Sequence, residues 1–451
     1  MKAIPRSFWF VCTALLLLFL AIASQYARLT PAWQVPDEPA HYNYVRQLAE
    51  SGLPPVIENG DWDQDYLSKV VSEKFPDNLP LSAIEYEDHQ PPLYYYLQTP
   101  FYQSSAGNLD FLRLVSVLLG GGLVVTSALA AYQLLGSTAL AISTAAIIAF
   151  IPQHIAMLSG LNNDSLAELL LAIGILLVLH YNRQVKPTRF TLLSMGLVLG
   201  LIFLTKSTVY LLAGGVFLLL WQKARQEGFT TRQWVTEASW IFLPALALGL
   251  VWWGRNLWVY GQADFLGLQA HNRVVVGQPL TADGWMEKGG WAFALGAAQT
   301  TWQSFWGQFG WMAVPMPTRI YQLLGGWVIA LLGGLYLRPQ TRRSLAQQRA
   351  FWFLLSLAGL AILQFLYYNL TFIQHQGRYL YPGLFPFALL LVLGADGWSQ
   401  WLWQKGSRWL PAGWRTNGWL IQFWQWLPVV FPLYLAVLSA WALVKWVQVY
   451  L

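Results

Sequence analysis

The chain has 451 residues, of which 56% are hydrophobic and only 11% charged, with a mean hydropathy of +0.41. Soluble proteins carry roughly 25% charged residues, so there are too few polar groups here to coat a water-soluble particle; disordered, collagen-like and disulfide-stapled classes are excluded as well. The formal charge of +6 divides unevenly: residues 28–108 hold 12 acidic and four basic residues, a net −8, which leaves +14 on the remainder.

A hydrocarbon core about 30 Å thick takes roughly 20 apolar residues of helix. Stretches of that kind lie at 8–27, 109–135, 138–158, 164–181, 190–205, 207–222, 239–259, 319–337, 350–370, 379–400 and 425–447. They predict an all-α polytopic membrane protein of about 11 spans. With Lys2 and Arg6 in the cytoplasm, the connections 182–189, 222–238, 338–349 and 401–424 fall on the same side. Each is basic: Arg183 and Lys186; Lys223, Arg225 and Arg232; Arg338, Arg342, Arg343 and Arg349; Lys405, Arg408 and Arg415. An excess of lysine and arginine marks cytoplasmic loops, so the acidic segment falls outside and the basic charge reflects topology, with no nucleic-acid partner.

The chain then divides into a first span (1–27), an extracytoplasmic loop (28–108), a membrane module (109–259), a second extracytoplasmic loop (260–318) and C-terminal spans (319–451). Lys2, Arg6, the apolar core and Ala21-Ile22-Ala23 also fit a cleaved secretory signal. The run extends to Ala27, which is long enough to span, and the next loop is outside on either reading. Cys12, the one cysteine, lies in this run with no partner for a disulfide or a thiolate metal site.

The polar residues gather toward the outer ends of the spans, and of six histidines only His180 maps to the inner end. Ionisable groups at membrane depth are costly, so a one-sided collection of them marks a candidate site. Val35-Pro36-Asp37-Glu38-Pro39-Ala40-His41-Tyr42 follows the first span. Asp37 there suits a general base and equally an N-cap, with Pro39 in the first turn and His41, Val45 and Leu48 along one helical face. Further on, Asp88, His89 and Gln90 precede Pro91-Pro92, which stiffens the chain above a tyrosine run; this reads as a ligand rim or as an interfacial anchor. Asn163 and Asp164 line the same side or cap the next helix.

Cations complete the set. Lys206, in a turn between two short apolar helices, and Arg378, in His375-Gln376-Gly377-Arg378-Tyr379, suit a phosphate, as does Arg255 with less support from its neighbours. Snorkelling toward lipid headgroups is the alternative reading of all three. His41, Asp88, His89, Gln90, Asn163, Asp164, His375, Gln376 and Tyr379 are the candidate substrate-binding residues.

This order of elements resembles the GT-C superfamily of polyprenyl-phosphate-sugar glycosyltransferases, from residue 8 to about 382. Asp37-Glu38-Pro39-Ala40-His41-Tyr42 is similar to the acidic pair in the first outer loop of protein O-mannosyltransferases. His89-Gln90-Pro91-Pro92-Leu93-Tyr94 resembles the Pro-Pro-Leu-Tyr segment of bacterial relatives in family 39. The resemblance implies a GT-C fold with amphipathic helices in the first outer loop, Asp37 as catalytic base with Glu38 beside it, and Lys206 and Arg378 on the donor phosphate. Trp62-Asp63-Gln64-Asp65-Tyr66 resembles the oligosaccharyltransferase signature only superficially, which argues against N-glycosylation.

The expected activity is inverting transfer of a sugar from a polyprenyl phosphate to an acceptor hydroxyl on a protein, lipid or glycan, in the plasma membrane and on its outer side. No cofactor is expected. Asp37, Glu38, His41 and His89 are the residues that would gather a divalent metal, which is not favoured because two cations already face the phosphate. A transporter or flippase usually places its site at the midplane between repeated halves, and no internal repeat is visible here. A non-catalytic membrane scaffold leaves the lysine and arginine positions unexplained.

Overall fold

A computed structural model describes residues 4–338, 344–411, 414 and 417–451. Lys2, Arg342, Arg343 and Arg415 lie outside the described residues. Apolar runs become helices, and polar caps and glycines end them. The first half holds α1 (Arg6–Leu29), α2 (Glu38–Ser51), α3 (Gln64–Ser72), α4 (Leu93–Ser104), α5 (Leu109–Leu135), α6 (Thr138–Phe150), α7 (Pro152–Leu158), α8 (Asp164–Arg183), α9 (Arg189–Phe203), α10 (Leu211–Glu227) and α11 (Thr231–Tyr260). After it come α12 (Leu268–Val274), α13 (Thr281–Lys288), α14 (Gly290–Trp306), a two-residue hairpin, α15 (Thr318–Leu337), α16 (Leu345–Tyr368), α17 (Leu384–Gly406), α18 (Gly418–Gln425) and α19 (Val430–Ala442).

Among the described residues nine helical runs are long and apolar enough to cross a bilayer. The other two of the 11 apolar stretches differ in kind. The α6–α7 pair bends by 71° between Phe150 and Pro152, and α9 is a shorter apolar helix of 15 residues. The bend has a local cause. In a continuous helix the Ile148 carbonyl would accept from residue 152, but Pro152 has no N–H. His154 replaces that donor, with Nδ1 2.6 Å from Ile148 O.

The core is built around α5, which packs against α1, α6 and α8, while α9 lies on α11, α10 on α16 and α15 on α17. Between membrane helices there is little hydrophobic drive to associate, so close backbone approach over small residues takes its place. Gly394 and Gly397 of α17 show this: a Cβ on either would collide with the carbonyl of Leu331 or Gly334 on α15. Apolar side chains such as Leu243, Leu250 and Trp258 of α11 instead stay exposed, facing the lipid that replaces water as solvent. Helices α2, α3 and α4 form the first loop, where a small core of Ala40, Leu67, Ile84 and Tyr86 joins Val275 from the second loop.

Candidate active site

Asp37 sits at the N-cap position of α2 in the left-handed backbone region (φ 68°), yet its side chain caps no helix N–H. Aspartate is among the few non-glycine residues that tolerate this conformation. Its carboxylate turns into the site instead, where Tyr86 donates to Oδ1 (2.8 Å) and Arg378 to Oδ2 (2.6 Å). The capping alternative therefore describes the backbone position and not the side chain.

Glu38, one residue on, lies behind this surface. It is fully buried, and Arg113 of α5 grips it with Nε (2.8 Å) and Nη2 (2.6 Å). The Leu161 and Trp33 amides donate to the same two oxygens. The remaining Arg113 hydrogens go to the carbonyls of Ala27, Thr30 and Pro31, which saturates all five guanidinium donors. The expected catalytic role for Glu38 meets a carboxylate with no face left for a substrate; its place is to fix the chain that presents Asp37.

Arg378 stands on a 3-10 turn, Gly377–Gly383, pressed against α14. Gly377 makes the approach feasible, since a Cβ there would strike the backbone of Thr301 and Phe305, and its amide donates to Ser304 Oγ (2.8 Å). Lys206 lies in the turn after α9, which the Leu93 amide ties to the Pro-Pro-Leu segment through Leu204 O (2.9 Å). Its ammonium meets Asp164 Oδ1, at the start of α8, at 2.6 Å. His41 points into the same space, with Nδ1 2.9 Å from the Tyr95 hydroxyl, and Asn163 reaches toward Tyr95 and Gln90. Asp37, His41, Gln90, Asn163, Asp164, Lys206 and Arg378 are thus brought together from five separate segments.

Other expected residues sit elsewhere. Asp88 is buried within the first loop, bonded to Gln47 (2.8 Å), and burial pushes its carboxyl up to about 8. His89 packs against His271 (ring centroids 4.3 Å apart); burial, reinforced by that neighbour, holds it well below the ordinary histidine value and therefore neutral. Arg255 is held by the carbonyls of Pro54 and Pro55 and by the faces of Trp252 and Tyr260, which makes it a loop clamp and not a phosphate ligand. Gln376 bonds to Gln374, as does Tyr379, but the Tyr379 ring also lies against the Arg378 guanidinium (5.2 Å to the ring centroid), which keeps this tyrosine at the site. His375 packs on Phe293 at the edge of an apolar cavity of about 990 Å³, lined also by Trp302, Phe305, Leu366 and Leu384.

Two further residues were not among the candidate site residues, although Glu87 lies in the outer polar collection. Glu87 belongs to the cluster, where burial raises its carboxyl; Asp37 adds to the rise, while His41 and Lys206 oppose it. For Asp37 burial also pushes upward, but Arg378, His41 and the Tyr86 bond together outweigh it and hold the carboxyl below its usual range. The surroundings thus shift these two neighbouring acids in opposite directions. Arg113 had a readable signal, a cation that follows Asp110 near the start of a long apolar span. Among the described residues no group of three or more His, Cys, Asp or Glu side chains is placed to hold a metal ion.

Residues 89–252 match the family model described as dolichyl-phosphate-mannose-protein mannosyltransferase. That interval holds Gln90, Asn163, Asp164 and Lys206 but neither Asp37 nor Arg378. Among solved structures the chain is similar to ArnT from Cupriavidus metallidurans bound to undecaprenyl phosphate, at 14% identity with a TM-score of 0.51, over 98% of this chain and 74% of that one. The chain thus shares its fold with ArnT over nearly its whole length. The apo form of the same ArnT aligns at 15% identity with a TM-score of 0.38, over 92% and 85% of the two chains. No curated protein sequence matches. At this identity the likeness to ArnT concerns the fold, and the chemistry has to be argued from the chain's own residues.

Proposed function

We propose that this protein is a GT-C-type inverting glycosyltransferase that moves a sugar from a polyprenyl-phosphate donor to an acceptor hydroxyl. The reading is carried by one observation: the Asp37 carboxylate and two phosphate-competent cations, Arg378 and Lys206, converge from distant parts of the chain. The ArnT comparison, whose protein holds undecaprenyl phosphate, supports a lipid phosphate as donor, and the apolar cavity beside His375 and Leu380 suits its chain. The basic connections favour an outward-facing site in the plasma membrane with a cytoplasmic N-terminus.

In this mechanism Asp37 takes the proton of the acceptor hydroxyl as that oxygen bonds to the anomeric carbon. The bond from that carbon to the phosphate oxygen breaks on the opposite face, and its electron pair leaves with the phosphate. Attack opposite the departing group inverts the anomeric centre. Lys206 and Arg378 stabilise the growing phosphate charge; donors aimed at developing charge in a dry site contribute about 3–4 kcal/mol each. A monophosphate leaving group flanked by two cations needs no metal. Asn163, Gln90 and His41 are the polar groups nearest to where the sugar would lie.

The test is Asp37→Asn in the purified protein, with transfer followed from a lipid-linked sugar. Turnover should fall by about 10²–10⁴-fold, the usual contribution of a positioned base, while the melting temperature stays near that of the parent. Full activity in the variant removes the assignment of the base, and with it this mechanism.

A further inference from the structure

The two cations assigned to the donor phosphate are not free. Each already holds a carboxylate at 2.6 Å, Arg378 with Asp37 and Lys206 with Asp164. The carboxylates also lie on the open side of their pairs: Asp37 and Asp164 are 23% and 26% exposed, against 8% for Arg378 and 14% for Lys206. An anion entering the site meets negative charge first. We propose that the donor binds by exchange of partners: its phosphate takes Arg378 from Asp37 and Lys206 from Asp164, and Asp37 becomes free to receive the acceptor's proton only once that exchange has occurred. The proposal rests on the glycosyltransferase reading above and goes beyond it by making donor binding the event that arms the base, and by assigning Asp164 as the placeholder of the phosphate site.

Three features of the geometry support the exchange. First, Asp37 uses only one prong of the arginine fork, and the Nε–H of Arg378 is buried without a partner. An orphaned donor in a low-dielectric site is costly, and a phosphate oxygen can engage both prongs where the carboxylate engages one. Second, two carboxylates and two cations balance, so a phosphodiester adds a third negative charge that the cations cannot share at contact distance. One anion at each cation must then give way. Third, Asp37 carries a donor on each oxygen, from Tyr86 and from Arg378. Removing Arg378 takes away the largest influence that lowers its basicity and leaves burial, which acts in the opposite direction. A compulsory order follows, donor before acceptor.

The experiment uses the full chain in detergent and farnesyl phosphate as the probe, with binding measured by titration calorimetry. Removing a placeholder should improve phosphate binding. Asp164→Asn and Asp37→Asn are each expected to lower the Kd about tenfold, although the second slows transfer as stated above, whereas Lys206→Gln should raise it. Unchanged or weaker binding in the two carboxylate variants, with melting temperatures near that of the parent, overturns the exchange. Infrared difference spectra of the unmodified protein give an answer independent of variant folding: addition of farnesyl phosphate should shift carboxylate bands, and a spectrum without such bands counts against the proposal. An unmodified protein that binds no farnesyl phosphate refutes the glycosyltransferase reading itself, a result distinct from binding without exchange.

Discussion

Asp37 and Glu38 are neighbours in sequence, and each pairs with an arginine at 2.6 Å, yet the two pairs sit in opposite settings. Arg113 and Glu38 are 1% and 0% exposed, and every polar atom of both has a partner. Arg378 and Asp37 lie at an accessible surface, with the arginine fork half used. The sealed pair cannot trade partners without leaving a charge stranded in the interior. The open pair can. One residue of chain direction thus separates a structural anchor from the carboxylate proposed as the base, and the anchor keeps the left-handed backbone at Asp37 in place.

Breaking the sealed pair should have the largest effect. Arg113→Met leaves Glu38 buried and unpaired, which typically costs about 3–5 kcal/mol; thermal unfolding in detergent should show a large loss of stability or no folded protein. A near-normal melting temperature would remove the distinction between the pairs. Next comes the open pair. Arg378→Lys keeps the charge but loses the fork, so the donor KM should rise by about tenfold or more with little change in melting temperature, as read from steady-state kinetics. A variant that melts early with an unaltered donor KM would make Arg378 the structural member instead.

Asp88 sharpens the comparison from the side of burial without a cation. Its carboxyl, raised to about 8, keeps a proton that the unfolded chain gives up near pH 4. Stability should therefore fall as pH rises between those values and level off above about 8. Asp88→Asn should flatten that slope and add on the order of 2 kcal/mol at pH 7, measured as a smaller difference between melting temperatures at pH 5 and pH 8. The smallest effect belongs to Tyr86→Phe, which removes one hydrogen bond worth about 1 kcal/mol from Asp37. Transfer should stay within about tenfold of the parent, and the acid limb of the pH–rate profile should move upward.

Much of this was open to reading in one dimension. Solvent class, apolar stretches and basic connections follow from composition and from the length of helix that lipid requires. Asp37, Lys206, Asp164 and Arg378 stood out because charged side chains beside apolar spans need a reason. Other features were hidden. Glu87 and Asp88 are adjacent in a tight turn, so which of them faces the site is a matter of side-chain direction that no pattern in the segment encodes. Glu38 looked equal to Asp37 until Arg113, 75 residues away, was found against it. Arg255 had the same surroundings of tryptophan and asparagine that a ligand site offers, and only the Pro54 and Pro55 carbonyls reveal it as a clamp.

The sequence by itself determined the solvent, the helices and the kinds of charge available near one end of the bundle, because transfer free energies and helix length are local properties. Tertiary structure alone decided which charges meet. Asp37 and Arg378 are separated by 341 residues, and their contact depends on α14, on Gly377 and on the anchor at Arg113 acting together. Pairing across such distances is set by packing of whole helices, and a residue's role as base, anchor or placeholder follows from the partner that packing supplies.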